Sequence, residues 1–288
     1  LHDALPICAA QGLHVAGPVA AGEGVHLRSG SALKVAGSVV AGADLSLGGA
    51  SVRVGEVLAA GQLVVEAGQI EADSLGAGGA LALSALTGVS VTGGVLSSGP
   101  LSIAVREGAM TVGGALASNE ALAAMAQGDI RVLGGVGSGA AASLLSSQGR
   151  IAVQGGASAA AGLTLDASRQ LDVGGELAAR GPIVLRSGTA GVDLAGGVTG
   201  AGSVSVEALG DIRFSGETRV GGDLTVASAA GTLTFARNLE AGGATRLAAA
   251  HGIDFGADSR FFGALRFDVP NGPIANRGLL YSSADFVV

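Results

Sequence analysis

Residues 171–191 read LDVGGELAARGPIVLRSGTAG, and the pattern of this stretch decides the fold. Three short apolar segments begin at Leu171, Leu177 and Ile183, and a turn that contains glycine follows each of them. Val192 then starts the same pattern again. Three short strands with glycine-marked turns, repeated at a fixed period, are typical of a solenoid.

The repeat continues along almost the whole chain, and its steps are regular. Successive first strands start 18 to 21 residues apart, at Leu13, Leu33, Val52, Ile70, Val89, Met110, Ile130, Ile151, Leu171, Val192, Ile212, Leu233, Ile253 and Ile274. Coils that close on themselves and stack on their neighbours require such regularity, whereas the packing of a globular core does not. The sequence therefore predicts an all-β parallel β-helix, with three short strands in each coil of about 20 residues.

The alternation within each strand predicts which side chains face inward. The first strands include LHV at residue 13, LDV at residue 171 and IRF at residue 212, with apolar residues flanking a polar one. Neighbouring side chains of a strand point to opposite faces. The flanking residues are therefore expected in the core, and the middle ones in solvent.

Composition and charge exclude several classes of protein. The 288 residues include 52 glycines, a single cysteine and only 14% charged residues, with a net charge of −7. The basic residues are scattered, which argues against a nucleic-acid partner. Glycine or a polar residue interrupts every long apolar run, so no transmembrane helix is expected. The lone Cys8 allows no internal disulfide bond.

The N-terminal residues do not fit the repeat. Residues 1–7, LHDALPI, resemble the translation of a sequencing-adapter oligonucleotide and lack the features of a signal peptide. We expect residues 1–8 to be a non-native scar and residues 9–288 to form a single β-helix domain. The missing native start and the apolar end at Val288 favour a fragment of a longer exoprotein.

Two kinds of segment leave alternatives open. Ser118–Gln127 reads either as a capped helical turn or as a thin coil with small inward side chains. The alanine-rich segments Gly139–Ser147 and Ser158–Gly162 are equally ambiguous, and thin coils are favoured for all three.

The aromatic residues concentrate near the C-terminus. Phe214, Phe235 and Phe255 occupy the third position of successive first strands. Stacked coils would place them in one column with a spacing of about 4.8 Å. A buried core column is the favoured interpretation, and a ligand-binding stripe is the alternative.

The polar side chains give little sign of chemistry. Neither metal-ligand spacing, a nucleophile elbow nor a nucleotide-binding glycine motif is present, so we predict no catalytic, cofactor-binding or metal-binding residue. One carboxylate pair is a candidate for catalysis, because Asp172 and Asp193 occupy the same outward column in successive coils. Carboxylates about 5 Å apart are what a retaining glycosidase needs. Arg213 follows in the same column, and a solvated face is the favoured interpretation.

The repeats resemble a known family, the filamentous haemagglutinins of bacterial two-partner secretion. The resemblance lies in units such as IRVLGG at residue 130, IAVQGG at 151, LDVGGELAARG at 171 and VDLAGGVTGAG at 192. It implies a right-handed parallel β-helix shaft that an outer-membrane two-partner secretion transporter exports. The protein would then be secreted or lie on the bacterial cell surface.

The resemblance also implies a function in cell adhesion and virulence. We expect the structural shaft of an adhesin, with a glycan or protein on a host or neighbouring cell as partner, and no enzymatic activity. A stalk of a contact-dependent growth-inhibition toxin is one alternative. A β-helical polysaccharide-active enzyme is another, and it would cluster acidic, basic and aromatic residues on one outer face.

Overall fold

The computed structural model describes residues 5–287 of the chain. Every regular secondary-structure element in this range is a β-strand. The chain divides into two compact units, one ending at Gly139 and the other beginning at Ala140, and each is described by itself. Whether they form the single predicted domain stays a prediction.

Within residues 5–139, the first unit contains sixteen strands. Their bounds are β1 (Leu5–Ala9), β2 (Leu13–Val15), β3 (Val19–Ala21), β4 (Val25–Ser29), β5 (Ala32–Val35), β6 (Val39–Ala41), β7 (Leu45–Ala59), β8 (Leu63–Ala77), β9 (Leu81–Val91), β10 (Val95–Ser97), β11 (Leu101–Val105), β12 (Ala109–Val112), β13 (Leu116–Ser118), β14 (Leu122–Ala126), β15 (Ile130–Val132) and β16 (Val136–Ser138).

Within residues 140–287, the second unit contains twenty-two strands. Their bounds are β17 (Ala142–Ser146), β18 (Ile151–Val153), β19 (Ala157–Ala159), β20 (Leu163–Ala167), β21 (Leu171–Val173), β22 (Leu177–Ala179), β23 (Ile183–Ser187), β24 (Val192–Leu194), β25 (Val198–Gly200), β26 (Val204–Ala208), β27 (Ile212–Phe214), β28 (Thr218–Val220), β29 (Leu224–Ser228), β30 (Thr232–Phe235), β31 (Leu239–Ala241), β32 (Thr245–Ala249), β33 (Gly252–Phe255), β34 (Ser259–Phe261), β35 (Leu265–Asp268), β36 (Ile274–Asn276), β37 (Leu280–Ser282) and β38 (Phe286–Val287).

Each strand pairs in parallel with the strand one coil further along, which gives three faces per unit. We call these faces first, second and third after the order of the strands in a coil; in the second unit they begin with β18, β19 and β17. On the first face Leu171 pairs with Val192, and Val192 pairs with Ile212. Each unit is therefore a parallel β-solenoid with about 20 residues per turn, and the predicted fold class and register are confirmed.

Three strands are much longer than the rest. β7 and β8 each contain 15 residues and β9 contains 11, so each runs through at least one corner of its coil. These are the coils with the shortest steps in the sequence, 18 and 19 residues from Val52 to Val89. A coil with fewer turn residues keeps its backbone extended through the corner, and this explains the merged strands.

The interior follows the predicted alternation. Val192 and Leu194 are buried, whereas Asp193 between them is exposed. The predicted aromatic column is confirmed as core, because Phe214, Phe235 and Phe255 are each no more than 1% exposed. Ring centroids lie 4.7 Å apart for the first pair and 5.4 Å apart for the second, with stacked planes.

The ambiguous segments are strands within their coils. Residues 122–126 form β14, which pairs with β11, so the helical-turn alternative for Ser118–Gln127 is wrong. Ser118 faces inward, and its hydroxyl donates to the carbonyl oxygen of Gly99 at 2.8 Å. Of the alanine-rich segments, the first contains β17 and the second overlaps the end of β19. Ladder pairing with adjacent coils overrides the helix propensity of alanine and leucine here.

The start of the described chain extends the third face. Residues 5–9 form β1, which pairs in parallel with β4, so that Cys8 lies beside Arg28. Part of the predicted scar is thus one more strand of the ladder, although it lacks the repeat pattern. The native or non-native origin of residues 1–8 stays a prediction, and residues 1–4 lie outside the described range.

Candidate functional surfaces

The one carboxylate pair suggested by the sequence is brought together. Asp172 in β21 and Asp193 in β24 are direct partners in the first-face ladder, and both point outward. Gln170 donates from Nε2 to Oδ1 of Asp172 at 2.7 Å, and the next residue in the column is Arg213. Asp193 lies exposed on a sheet face. Carboxylates on an open face beside a guanidinium lack the contrasting environments that a catalytic acid–base pair needs.

The histidines and the cysteine do not converge. His26 in β4 is an outward residue of the third face, and His251 is exposed in a turn. Cys8 is an exposed free thiol. Within residues 5–287, no three histidine, cysteine, aspartate or glutamate side chains lie close enough together to hold a metal ion.

An open recess on the third face of the first unit combines opposite charges. It has a volume of about 430 Å³ and is lined by His26, Arg28 and Glu66, among others. Gly48 separates Arg28 from Glu66 in the ladder and supplies the floor. The recess offers a cation and an anion to a small polar group, but open walls leave both charges in water, where they contribute little to binding.

The outer surface of the second unit carries exposed ion pairs. Arg186 Nε lies 3.4 Å from Glu207 Oε2 across adjacent third-face strands, and Arg277 lies 3.1 Å from Asp254. The Arg186 and Glu207 side chains are both more than half exposed. Pairs of this kind contribute about 0–1 kcal/mol. They make the surface polar and solvated.

Aspartates at the corners bind the next coil. Asp211 comes directly before β27, and its Oδ1 accepts hydrogen bonds from the backbone N–H of Thr232 at 2.8 Å and from the Thr232 hydroxyl at 2.9 Å. The backbone bond, the hydroxyl bond and the nearby charges of Arg213 and His251 lower the pKa of Asp211 from its ordinary value. Asp44, Asp223 and Asp258 bind the equivalent N–H one coil along. These carboxylates therefore join adjacent coils by hydrogen bonds, and we call them the corner staples.

Sequence reasoning missed an apolar surface on the second face of the first unit. Six successive outward residues, which follow Ala20 in the same ladder, form what we call the apolar column: Val40, Leu58, Gly76, Leu96, Ala117 and Gly137. Leu96 is 52% exposed and Leu58 is 44% exposed. The signal was present in the sequence, because residues 74–105 contain no charged side chain.

The same position in the second unit is mostly polar. Its members are Ser158, Ala178, Thr199, Arg219, Glu240, Arg260 and Tyr281, in chain order. The two units therefore present different chemistry on equivalent strands.

Comparison with other proteins adds no further constraint on function. Residues 5–287 include no helix that is long and apolar enough to cross a membrane. No protein-family model matches the chain, and no curated protein or solved structure matches it either.

Proposed function

We propose that this chain is the structural shaft of a secreted or surface-exposed bacterial adhesin, which mediates attachment or presents a distal domain. The observation that carries the proposal is the regular inward register of the coils, which shifts locally between β8 and β9 after Ala67 in the first unit. On the first face, for example, β21, β24 and β27 keep their register without a shift. A stack of near-identical coils is suited to spacing and presentation, because each coil contacts only its neighbours and adds one increment of length.

The outer surface supports this proposal over catalysis. Asp172 and Asp193 lie on a solvated face, and Asp193 faces Arg213 rather than a histidine or a third acid. An enzyme needs a concave site where groups hold matched protonation states. The resemblance to the filamentous haemagglutinin repeats supports export by an outer-membrane transporter, and it supports a glycan or protein of a host or neighbouring cell as the surface partner.

The experiment that tests the shaft removes coils. The chain is expressed between a surface anchor and a folded binding module, and capture of the module's ligand is measured after protease treatment. Deleting residues 171–191 joins Gln170 to Val192, which occupies the position of Leu171 in the next coil. Capture should stay unchanged, since one full coil has been removed.

The matched control deletes half a coil. Removing residues 171–180 places the third-face strand β23 where a first-face strand belongs, so inward and outward residues no longer stack. Protease should then cut the chain and abolish capture. Equal capture by the two deletion variants would contradict a register-dependent shaft.

A second assay addresses the polysaccharide-active alternative. The purified chain is incubated with neutral and uronate-containing polysaccharides, and new reducing ends are measured. We expect none from the native chain or from the Asp172→Asn, Asp193→Asn double variant. Turnover by the native chain but not by the double variant would identify Asp172 and Asp193 as part of an active site and would contradict the proposal of a structural shaft.

A further inference from the structure

The apolar column arranges large and small side chains in a self-complementary order. The order along the ladder is Val40, Leu58, Gly76, Leu96, Ala117 and Gly137. A two-fold axis that lies in the plane of the interface, parallel to the strands and midway between Gly76 and Leu96, brings the two faces together and reverses this order in a second copy. Gly76 then faces Leu96, Leu58 faces Ala117, and Val40 faces Gly137. Each large side chain meets a small one.

We propose that the apolar column is a self-association surface, through which a second copy of this chain docks about that two-fold axis. An isologous interface needs a self-complementary patch, in which residue i contacts residue j of the second copy and residue j contacts residue i. The proposal does not depend on the adhesin function.

The recess at Gly76 supplies the space that a partner side chain would fill. An open recess of about 480 Å³ lies around Gly76, with Leu58 on one side and Leu96 on the other. A Cβ on Gly76 would lie 2.8 Å from Cδ2 of Leu58, so the leucine leans over the glycine and forms a wall. Leu96 of the second copy would enter this recess, and the first copy's Leu96 would enter the partner's.

Charge favours a second copy over other occupants. The chain carries a net charge of −7, so identical surfaces repel one another unless the contact region is neutral. Residues 74–105, which include Gly76 and Leu96, contain no charged side chain. An anionic lipid surface would instead require basic residues beside the apolar ones, and this stretch supplies none.

The surface area that the two copies would bury indicates a weak contact. Six coils at a spacing of about 4.8 Å, with a face about 15 Å wide including its corners, give roughly 400 Å² per copy. Two copies would bury roughly 800 Å², below the 1,200 Å² or so of stable complexes. We therefore expect a weak dimer that forms only at high protein concentration.

Sedimentation equilibrium from about 1 µM to about 1 mM tests the proposal, under reducing conditions because Cys8 is exposed. The weight-average mass of the native chain should rise with concentration toward twice the monomer and no further. Leu96→Glu should weaken dimerisation at least tenfold, since it places two like charges in the interface. Met125→Glu is the matched control, because Met125 is 53% exposed on the third face and should leave the dimer intact.

A size swap tests the two-fold pairing itself. Gly76→Leu alone should abolish the dimer, since it fills the recess that receives Leu96. Adding Leu96→Ala should restore the dimer, because each new leucine then faces an alanine. Circular dichroism checks that each variant is folded.

Three outcomes would overturn the proposal: a native chain that stays monomeric up to 1 mM, a dimer insensitive to Leu96→Glu, and growth beyond a dimer. The last would indicate a contact that does not close.

Discussion

The aliphatic and the aromatic coils of the second unit differ in side chains but share one backbone register. The third residue of the first strand points inward, and it is Val173 in one coil, Leu194 in the next and Phe214 in the one after. In the aromatic coils, small polar residues occupy other inward positions, namely Thr218, Thr245 and Ser259. The interior volume is not constant, because Val220 of the Phe214 coil pairs with Gly200 of the coil before it. The comparison teaches that ladder pairing sets the register even where inward side chains change in size.

The largest expected effect tests the inward register on which this comparison rests. Val192→Asp places an unpaired charge in the core of an aliphatic coil, and should lower the free energy of unfolding by about 4 kcal/mol or more. Asp193→Ser, one residue along but exposed, should change it by less than about 0.5 kcal/mol. Urea unfolding measures both, and equal effects would refute the register.

The next effect compares the two kinds of core directly. Phe235→Ala removes the middle ring of the stacked column and should cost about 3–5 kcal/mol. Val173→Ala, the equivalent position of an aliphatic coil, should cost about 2 kcal/mol, because it removes two methyl groups. Hydrogen exchange should show protection lost first around Leu233 in the phenylalanine variant. Similar losses for both variants would mean that the rings are not tightly packed.

A smaller effect of opposite sign concerns the small polar residues inside the aromatic coils. The hydroxyl of Thr218 is buried and makes no hydrogen bond within the described residues. Thr218→Val keeps the shape and removes the unpaired group, so it should raise the free energy of unfolding by about 1 kcal/mol. Ser97→Ala is the matched control, since Ser97 donates to the carbonyl of Gly79 at 2.7 Å and its loss should destabilise. Destabilisation by both would indicate that Thr218 has a partner.

The smallest effect concerns the corner staples. Because the folded-state pKa of Asp211 is lowered, its ionised form stabilises the fold above the ordinary aspartate value of about 3.9. That contribution disappears as the pH falls through this value toward the folded-state pKa. Between pH 6 and pH 3 the native chain should lose more stability than Asp211→Asn does, by less than about 1 kcal/mol because the site is exposed. The free energies of unfolding are measured with urea at the two pH values. Equal losses for the native chain and the variant would contradict a stabilising role of ionised Asp211.

Much of the fold was predictable from the sequence, because one physical rule repeats in every coil. Period-2 alternation closed by glycine turns identified the strand that contains Val192 and the buried column that contains Phe235. The strands through Ser118–Gln127 were ambiguous, because alanine and leucine also favour helix and only pairing with adjacent coils decides between them.

The surfaces were less predictable than the core. Most of the apolar column lies on three-residue second strands, whose single outward residue gives almost no alternation to detect, and Leu58 and Gly76 lie near the ends of the long strands β7 and β8. Leu58 and Leu96 lie 38 positions apart, and only stacking shows that Gly76 separates them. The corner staples were missed because Asp211 and Thr232 also meet only across coils.

The parallel pairing has a mechanical consequence. In each unit the backbone hydrogen bonds join one coil to the next and run along the stacking direction. Tension along that direction therefore loads successive coils in series, and one coil at a time should yield. Each event should release about 20 residues, or roughly 70 Å of contour length. A chain built this way would absorb a pull in many equal, reversible steps rather than in one abrupt failure.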